Sequence, residues 1–274
     1  MLGLVNLQGL VPVLAARPGF KDSIPSVNEL YQWPCIWHIA GNTLCINRVV
    51  ILEFIAAGLA ALVFLVAFRK PKTVPRGGQN LMEALYDFVA RDVIEGVIGR
   101  REGAMWQPYL TILFIFALII SWFEVVPLVQ FPVSSRIAIP LILATGSWLV
   151  YNYAGIKKKG FVGYFKAVMF PPGVPKPAYV LLTPIELITA LILRPATLAI
   201  RLFANFFAGH VLLTVFFVAT AYLVASPATI PLAIPALVLS VFLVGLEIFI
   251  AAVQAYVFTL LTAVYITLSV SEEH

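Results

Sequence analysis

Charged residues are scarce in this sequence. Asp, Glu, Lys and Arg make up 11% of its 274 residues, against about 25% in a typical soluble domain. Predominantly apolar runs longer than ~18 residues recur instead, and that length is enough for a helix to cross a bilayer. Backbone polar groups in lipid must be paired inside a helix or a closed barrel. Because the runs are continuous rather than alternating, they predict an all-α polytopic membrane protein.

Motifs for chemistry on this chain are also lacking. The sequence has no Gly-rich phosphate loop, no Cys/His cluster at metal-binding spacing and no nucleophile motif. No metal, no cofactor and no catalytic site confined to this chain is therefore expected. The net charge of +5 follows from the topology described next and does not indicate a nucleic-acid partner.

Basic residues set the predicted orientation. They cluster in residues 69–76, 91–101 and 157–176. If these clusters share one side of the membrane, the positive-inside rule makes that side the cytoplasm. The N-terminus then lies outside and the C-terminus lies in the cytoplasm. The two cysteines, Cys35 and Cys45, fall on the outer side, where disulfides form. A bridge between them and two free thiols both remain open.

The charge pattern divides the chain into seven predicted segments. Residues 77–99 are too charged to span, but Leu81, Leu85, Phe88 and Val89 repeat at helical spacing, which favours an amphipathic surface helix. The segments are an N-terminal extracytoplasmic part (1–49), a first transmembrane helix (50–68), the surface helix (77–99), a transmembrane hairpin (109–153), a cytoplasmic loop (154–179), a second hairpin (180–270) and a cytoplasmic tail (271–274).

The second hairpin holds two very long apolar stretches, residues 180–225 and 231–269. Each is about twice the length of a perpendicular span, so each either breaks into two spans or forms one steeply tilted helix. The sequence PATIPLAIP at residues 227–235 is the obvious corner, and no comparable turn interrupts either stretch. Two long tilted helices are therefore predicted, which gives five membrane-embedded helices in all.

Arg201 lies deep in the first of these stretches. An arginine at the bilayer centre costs from ~3 to more than ~10 kcal/mol, so it is kept mainly where it has a partner or a function. Arg194 is near enough to the end to reach the headgroups by snorkelling, whereas Arg201 lies two turns further in. Arg194, Arg201 and Asn205 are spaced by seven and four residues and share one helix face.

Polar residues of the second long stretch match those of the first. In an antiparallel hairpin, opposed residues lie symmetrically about the corner. The pairs Arg201–Gln254 and His210–Glu247 are both centred on residues 227–229. A titratable His–Glu pair suits a proton relay, and the alternative is a buried hydrogen-bonded pair that only fixes the hairpin. Since an arginine does not deprotonate usefully, Arg201 is predicted to be a charge gate or counter-ion.

The segment RLFANFFAGH resembles the signature of the F-type ATP synthase subunit a family, the membrane stator that works against a rotating ring of c subunits. Matching positions are Arg201, Leu202, Phe203, Asn205 and Gly209. The upstream pair Arg194 and Pro195, the segment Gln254–Thr262, the loop IKKKG, the segment FEVVP and the tail SEEH also resemble that family. The resemblance covers residues 77–274 and does not extend to residues 1–48.

The resemblance implies a proton-conducting stator subunit in a bacterial plasma membrane. Its implied partners are the c-subunit ring, b-type peripheral stalk subunits, the remainder of the complex, protons and the lipid bilayer. Arg201 would separate two half-channels and promote deprotonation of the c-subunit carboxylate. The implied proton pathway comprises His210, Glu247, Asn205, Gln254 and Glu124, with Glu186 near the inner exit and Arg194 in support. His210 and Glu247 are exchanged relative to many bacterial members, which carry an acid at the first position and a histidine at the second.

Two other functional classes compete with this interpretation. A secondary transporter would need a substrate site and often shows inverted repeats with broken helices, and neither is visible in the sequence. A passive anchor would not need four polar positions in register. Substitution of Arg201 separates the three classes. A transporter would lose uptake, an anchor would lose only assembly, and a stator would lose coupling while it remains assembled.

Overall fold

A computed structural model describes residues 48–68, 77–125, 137–170, 178–225 and 229–271, together with two short strands. The strands, β1 (Trp37–Ile39) and β2 (Leu44–Ile46), pair antiparallel, with His38 opposite Cys45. Their β-branched and aromatic residues suit a strand, and this hairpin is an addition to the predicted all-α fold. Cys35 lies outside the described residues, so a Cys35–Cys45 bridge remains a prediction.

The rest of the described chain is helical. The helices are α1 (Arg48–Phe68), α2 (Gly78–Phe88), α3 (Arg100–Gly103), α4 (Gln107–Val125), α5 (Ala138–Lys159), α6 (Phe161–Met169), α7 (Tyr179–Ile188), α8 (Arg194–Val224) and α9 (Ile230–Val270). Two π-helical segments are inserted, πA (Val89–Glu95) after α2 and πB (Thr189–Leu193) between α7 and α8.

Among the described residues, three helices are long and apolar enough to cross a membrane. They are α5, the continuous 46-residue helix Tyr179–Val224 formed by α7, πB and α8, and the 41-residue helix α9. Shorter apolar stretches lie in α1 (Phe54–Leu65) and α4 (Gln107–Trp122). Each of the two long apolar stretches is thus one helix in the structure, and prolines within them, such as Pro184 and Pro235, are absorbed without a break.

The chain divides into two compact units. The first comprises Met1–Arg48 and Ala208–Glu247. Within it, the hydroxyls of Thr220 and Ser240 lie 3.3 Å apart and are buried, in a pair symmetric about Ile230. Thr229 Oγ1 donates to the carbonyl of Leu223, 2.8 Å away, beside the corner. Helix α8 ends at Val224 and α9 begins at Ile230, so residues 230–235 of the predicted corner belong to α9.

The second unit comprises Val49–Phe207 and Ile248–His274. Its largest apolar cluster joins πA, α4, α5 and α9 through residues such as Val93, Phe114, Tyr151 and Ile266. Another cluster packs Leu198, Leu202 and Phe206 of α8 against Phe258 of α9. Small residues at these contacts, including Ala144, Ala199, Ala255 and Ala263, let helix backbones approach closely.

The amphipathic segment buries most of the predicted apolar positions: Val89 is in the core, Leu85 packs against it and the Phe88 ring contacts Phe114. Met82, Val89 and Val93 are buried, whereas Leu81 is 62% exposed and Phe88 is 38% exposed. Met82, Val89 and Val93 are spaced by seven and four residues, so they share one face at ordinary helical spacing. The buried face packs on the protein core. A location on the membrane surface remains a prediction.

The predicted cytoplasmic loop is more ordered than expected. Helix α5 continues to Lys159 instead of ending at residue 153, and α6 follows directly. Three lysines occupy the last turn of α5, where positive charge complements the helix dipole. Gly160 turns the chain with a φ of 73°, a backbone conformation that glycine adopts without strain.

Candidate functional site

Arg201 is exposed on α8. Its neighbours Leu198, Leu202 and Phe206 are buried against α9 and α4, so packing holds the apolar face of this stretch inward and leaves Arg201 outward. No residue in the described part of the chain forms an ion pair with it. The geometry therefore presents a permanent positive charge from an apolar helix to whatever lies beside this chain.

Arg194 has a different environment, although it lies on the same helix. Its guanidinium carbon sits 5.6 Å from the centroid of the Tyr265 ring, within the range of a cation–π interaction. It is half-buried. Among the described residues, Arg194 thus has an aromatic partner whereas Arg201 has no ion pair. Snorkelling of Arg194 to the headgroups remains a prediction.

Gln254 of α9 is buried, with 6% of its surface exposed. Its Nε2 atom has no hydrogen-bond partner among the described residues, and no hydrogen bond joins it to Arg201 there. The predicted Arg201–Gln254 pair is therefore not a direct bond in this structure. A buried amide without a partner is costly, so Gln254 is a polar position kept within an apolar helix contact.

Glu247 lies against the backbone of α8 at Gly209, within the first unit. A Cβ atom added to Gly209 would come 2.9 Å from Cδ of Glu247 and closer still to its Oε1. Only glycine therefore leaves room for this carboxyl group. The Oε2 atom of Glu247 is buried and has no hydrogen-bond partner among the residues described. His210, half-buried, follows Gly209 directly, so the acid approaches the segment that the hairpin symmetry predicts.

The remaining predicted residues are more scattered. Asn205 of α8 and Glu186 of α7 are half-buried, and no hydrogen bond or ion pair of theirs is seen in the described chain. Glu124 lies in the last turn of α4, and its side chain is outside the described residues. The structure thus shows Glu247 against Gly209 and Arg194 over the Tyr265 ring. It shows no hydrogen bond or ion pair from Asn205 or Glu186 to either pair among the described residues.

Sequence patterns missed a buried hydroxyl cluster in the second unit. Tyr109 Oη donates to Ser147 Oγ over 3.5 Å, and Thr262 Oγ1 lies 3.4 Å from the same atom. Thr262 also donates to the carbonyl of Phe258, 2.9 Å away. Ser and Thr in helices commonly bond their own backbone in this way, so sequence alone gives little signal for a contact between helices.

A tyrosine near the basic end of α5 was also missed. Tyr164 Oη donates to Asn152 Oδ1 over 2.8 Å. Burial raises the pKa of Tyr164 above its usual value, and Arg194 partly opposes that effect. The hydroxyl therefore stays protonated and able to donate at neutral pH. No group of three or more His, Cys, Asp or Glu side chains in the described ranges is arranged to hold a metal ion.

Comparison with known proteins identifies the family. The family described as "ATP synthase A chain" matches residues 50–267. The ATP synthase subunit a of Frankia alni is 43% identical over 258 residues, covering 94% of this chain and 88% of that protein. Those of Parafrankia sp. (42%; 93% and 85% covered) and Rhodococcus erythropolis (37%; 91% of each covered) are similar. Together with the arginine-bearing helix α8, these matches show that the chain belongs to the ATP synthase subunit a family.

Proposed function

We propose that this chain is the proton-conducting stator subunit of an F-type ATP synthase, with Arg201 separating two offset aqueous half-channels that face the c-ring. Membership of the subunit a family supports the coarser part, a membrane subunit that translocates protons within that complex. One observation carries the finer part. Arg201 is exposed on an apolar helix, and no described residue forms an ion pair with it.

Arg201 would act on the essential carboxylate of a c subunit. Opposite unit charges 4 Å apart attract by about 4 kcal/mol at an effective dielectric constant of 20. A guanidinium that remains protonated therefore favours the ionised form of a facing carboxylate and promotes release of its proton. The same charge repels a proton that would otherwise pass straight from one half-channel to the other.

Glu247, His210 and Asn205 would line the outer half-channel, with Glu124 towards its mouth. The buried Oε2 atom of Glu247, which no described residue hydrogen-bonds, supports a role in accepting and passing on protons. Gln254 would lie deeper, near Arg201. Glu186, one turn before πB, would mark the inner half-channel, and Arg194 would support the helix from its place over Tyr265.

The proposed assembly follows from the same assignment. The chain would place five helices in a bacterial plasma membrane, with the N-terminus outside and the C-terminus in the cytoplasm. The long helices Tyr179–Val224 and Ile230–Val270 would tilt across the c-ring surface. The b-type peripheral stalk would contact the segment at residues 77–99, whose outer face carries charged side chains such as Asp87 and Arg91.

The variant Arg201→Ala tests this proposal in inverted membrane vesicles. We expect ATP-driven proton pumping to be lost and passive proton leak to rise, because the barrier between the half-channels is gone. Assembly should persist by immunoblot, because Arg201 is exposed and packs against little of this chain. Arg101→Ala is the matched control, since Arg101 is also an exposed arginine but lies in α3, outside the segment assigned to the stalk. Normal pumping by Arg201→Ala in an assembled complex would refute the gate.

A further inference from the structure

The π turn πB lies directly before Arg194, between α7 and α8. Its five residues are Thr189–Leu193, and the backbone N–H of Arg194 bonds the carbonyl of Thr189, five residues back. Such turns occur mostly as single bulges inside α-helices, often at functional sites. Because a residue turns an α-helix by about 100°, one inserted residue changes the direction in which every later side chain points.

Pro195 leaves the carbonyl of Ala190 without a backbone donor. In the π register the carbonyl of Ala190 would accept from the N–H of residue 195, and in the α register from that of residue 194. Proline has no N–H, and the N–H of Arg194 is directed to Thr189. Ala190 is only 3% exposed, so its carbonyl is shielded from water, and an unpaired buried backbone carbonyl is unfavourable.

Tyr151 supplies the missing donor from another helix. Its hydroxyl donates to the carbonyl of Ala190 over 3.2 Å, and the side chain is among the most deeply buried in the described chain, with 1% exposed. The Tyr151 ring also contacts the Tyr265 ring, with centroids 5.6 Å apart. Tyr265 in turn lies under the Arg194 guanidinium, so a single tyrosine contacts both the π turn and the partner of Arg194.

We propose that Tyr151 is a positioning residue for the arginine helix α8. Its hydroxyl donates to the Ala190 carbonyl, which πB and Pro195 leave without a backbone donor. This bond fixes the rotation of the helix, and therefore the direction in which Arg194 and Arg201 point. The inference rests on the proposed function, because the phase matters to transport only if Arg201 is the gate. Tyr151 acts through the backbone of α8 and does not itself touch the transported proton.

The variant Tyr151→Phe isolates the hydroxyl, because it keeps the ring that packs on Tyr265. We expect ATP-driven pumping to fall by about fivefold, the effect on an equilibrium of losing one hydrogen bond of typical strength. The KM for ATP should not change, since Tyr151 would act on the proton path and the sequence has no Gly-rich phosphate loop. Tyr153→Phe is the matched control, because Tyr153 lies two residues further along α5 and is 62% exposed. It should pump as the wild type does.

The variant Pro195→Ala distinguishes a hydrogen-bonding role of Tyr151 from a role in packing alone. It restores a backbone N–H that can bond the freed carbonyl or return πB to an α-helical turn. In the Pro195→Ala background, Tyr151→Phe should then lower pumping by less than about twofold, against about fivefold in the wild-type background. Such non-additivity indicates that the two residues are coupled. If Tyr151→Phe alone fails to assemble, the double variant should restore assembly.

Three outcomes would overturn the inference. They are wild-type pumping by Tyr151→Phe, an equal loss from Tyr151→Phe with and without Pro195→Ala, and failure of the double variant to restore assembly. Arg201→Ala, assayed in parallel, separates this from the proposed function. If Arg201→Ala pumps normally, the gate itself is wrong. If it is inactive while Tyr151→Phe behaves like Tyr153→Phe, only the positioning role is wrong.

Discussion

Gly209 is the residue at which the smallest possible substitution should have the largest effect. Gly209→Ala places a methyl group where the Glu247 carboxyl lies, so Glu247 must move or α8 and α9 must separate. Overpacking of this kind costs about 1–3 kcal/mol. We expect a lower thermal stability of the complex and a pumping rate at least several-fold lower, measured in the same vesicles.

Gly146→Ala is the matched control for that substitution. Gly146 is also a helical glycine, in α5, and a Cβ atom added to it would meet nothing within 4 Å. Replacing an unhindered helical glycine by alanine is neutral or stabilising. Equal behaviour of the two variants would show that Glu247 does not depend on the space above Gly209.

The proposed functional residues could be predicted to different degrees from sequence. Arg201 and Glu247 were identifiable because charge is costly in an apolar helix. Gly209 could be matched only as part of a motif, and Tyr151 could not be identified at all. Their roles depend on how closely two separate helices approach, and no local pattern records that distance. Hairpin symmetry predicts a shared depth for Arg201 and Gln254 but does not fix side-chain direction, so it could not predict whether the two side chains bond.

At the scale of elements, the packing of α6 on α5 depends on Gly155. A Cβ atom added there would meet the Tyr164 ring at 2.5 Å and Ser269 Cβ at 3.1 Å. Gly155→Ala should therefore displace Tyr164, break its bond to Asn152 and loosen α6. We expect faster proteolysis within residues 160–177 in inverted vesicles, where the predicted cytoplasmic face is accessible.

Gly163→Ala, in α6 itself, tests whether that effect is specific. Its added Cβ would make only an ordinary contact of 3.6 Å with Lys159, so proteolysis should match the wild type. Faster cleavage in both variants would indicate that α6 is held by something other than the Tyr164–Gly155 contact.

Long elements were easier to predict than irregular ones. The lengths of the apolar runs and the proline-rich corner anticipated two continuous helices, because helix formation inside lipid pairs every backbone group locally. The π turns and the short β-hairpin were not anticipated. A π turn depends on which N–H reaches which carbonyl, and the πB carbonyl of Ala190 accepts from a tyrosine 39 positions away in the sequence, a contact that no local pattern records.

At the scale of the whole molecule, the positive-inside rule predicts the orientation. Val162 is 79% exposed on α6 and Ile230 is 46% exposed beside the hairpin corner. In a Cys35→Ser, Cys45→Ser background, Val162→Cys should react with a membrane-impermeant maleimide in inverted vesicles. Ile230→Cys should react only in right-side-out vesicles, and the reverse result would invert the topology.

Pro195 has a consequence for how the sequence can change over generations. While position 195 is proline, a hydroxyl at position 151 completes the backbone of the arginine helix. A relative that acquires an amide-bearing residue at 195 no longer needs that hydroxyl, and its position 151 becomes free to drift. If Tyr151 has the proposed role, the two positions should covary among relatives, and that covariation would record a hydrogen bond that neither residue reveals alone.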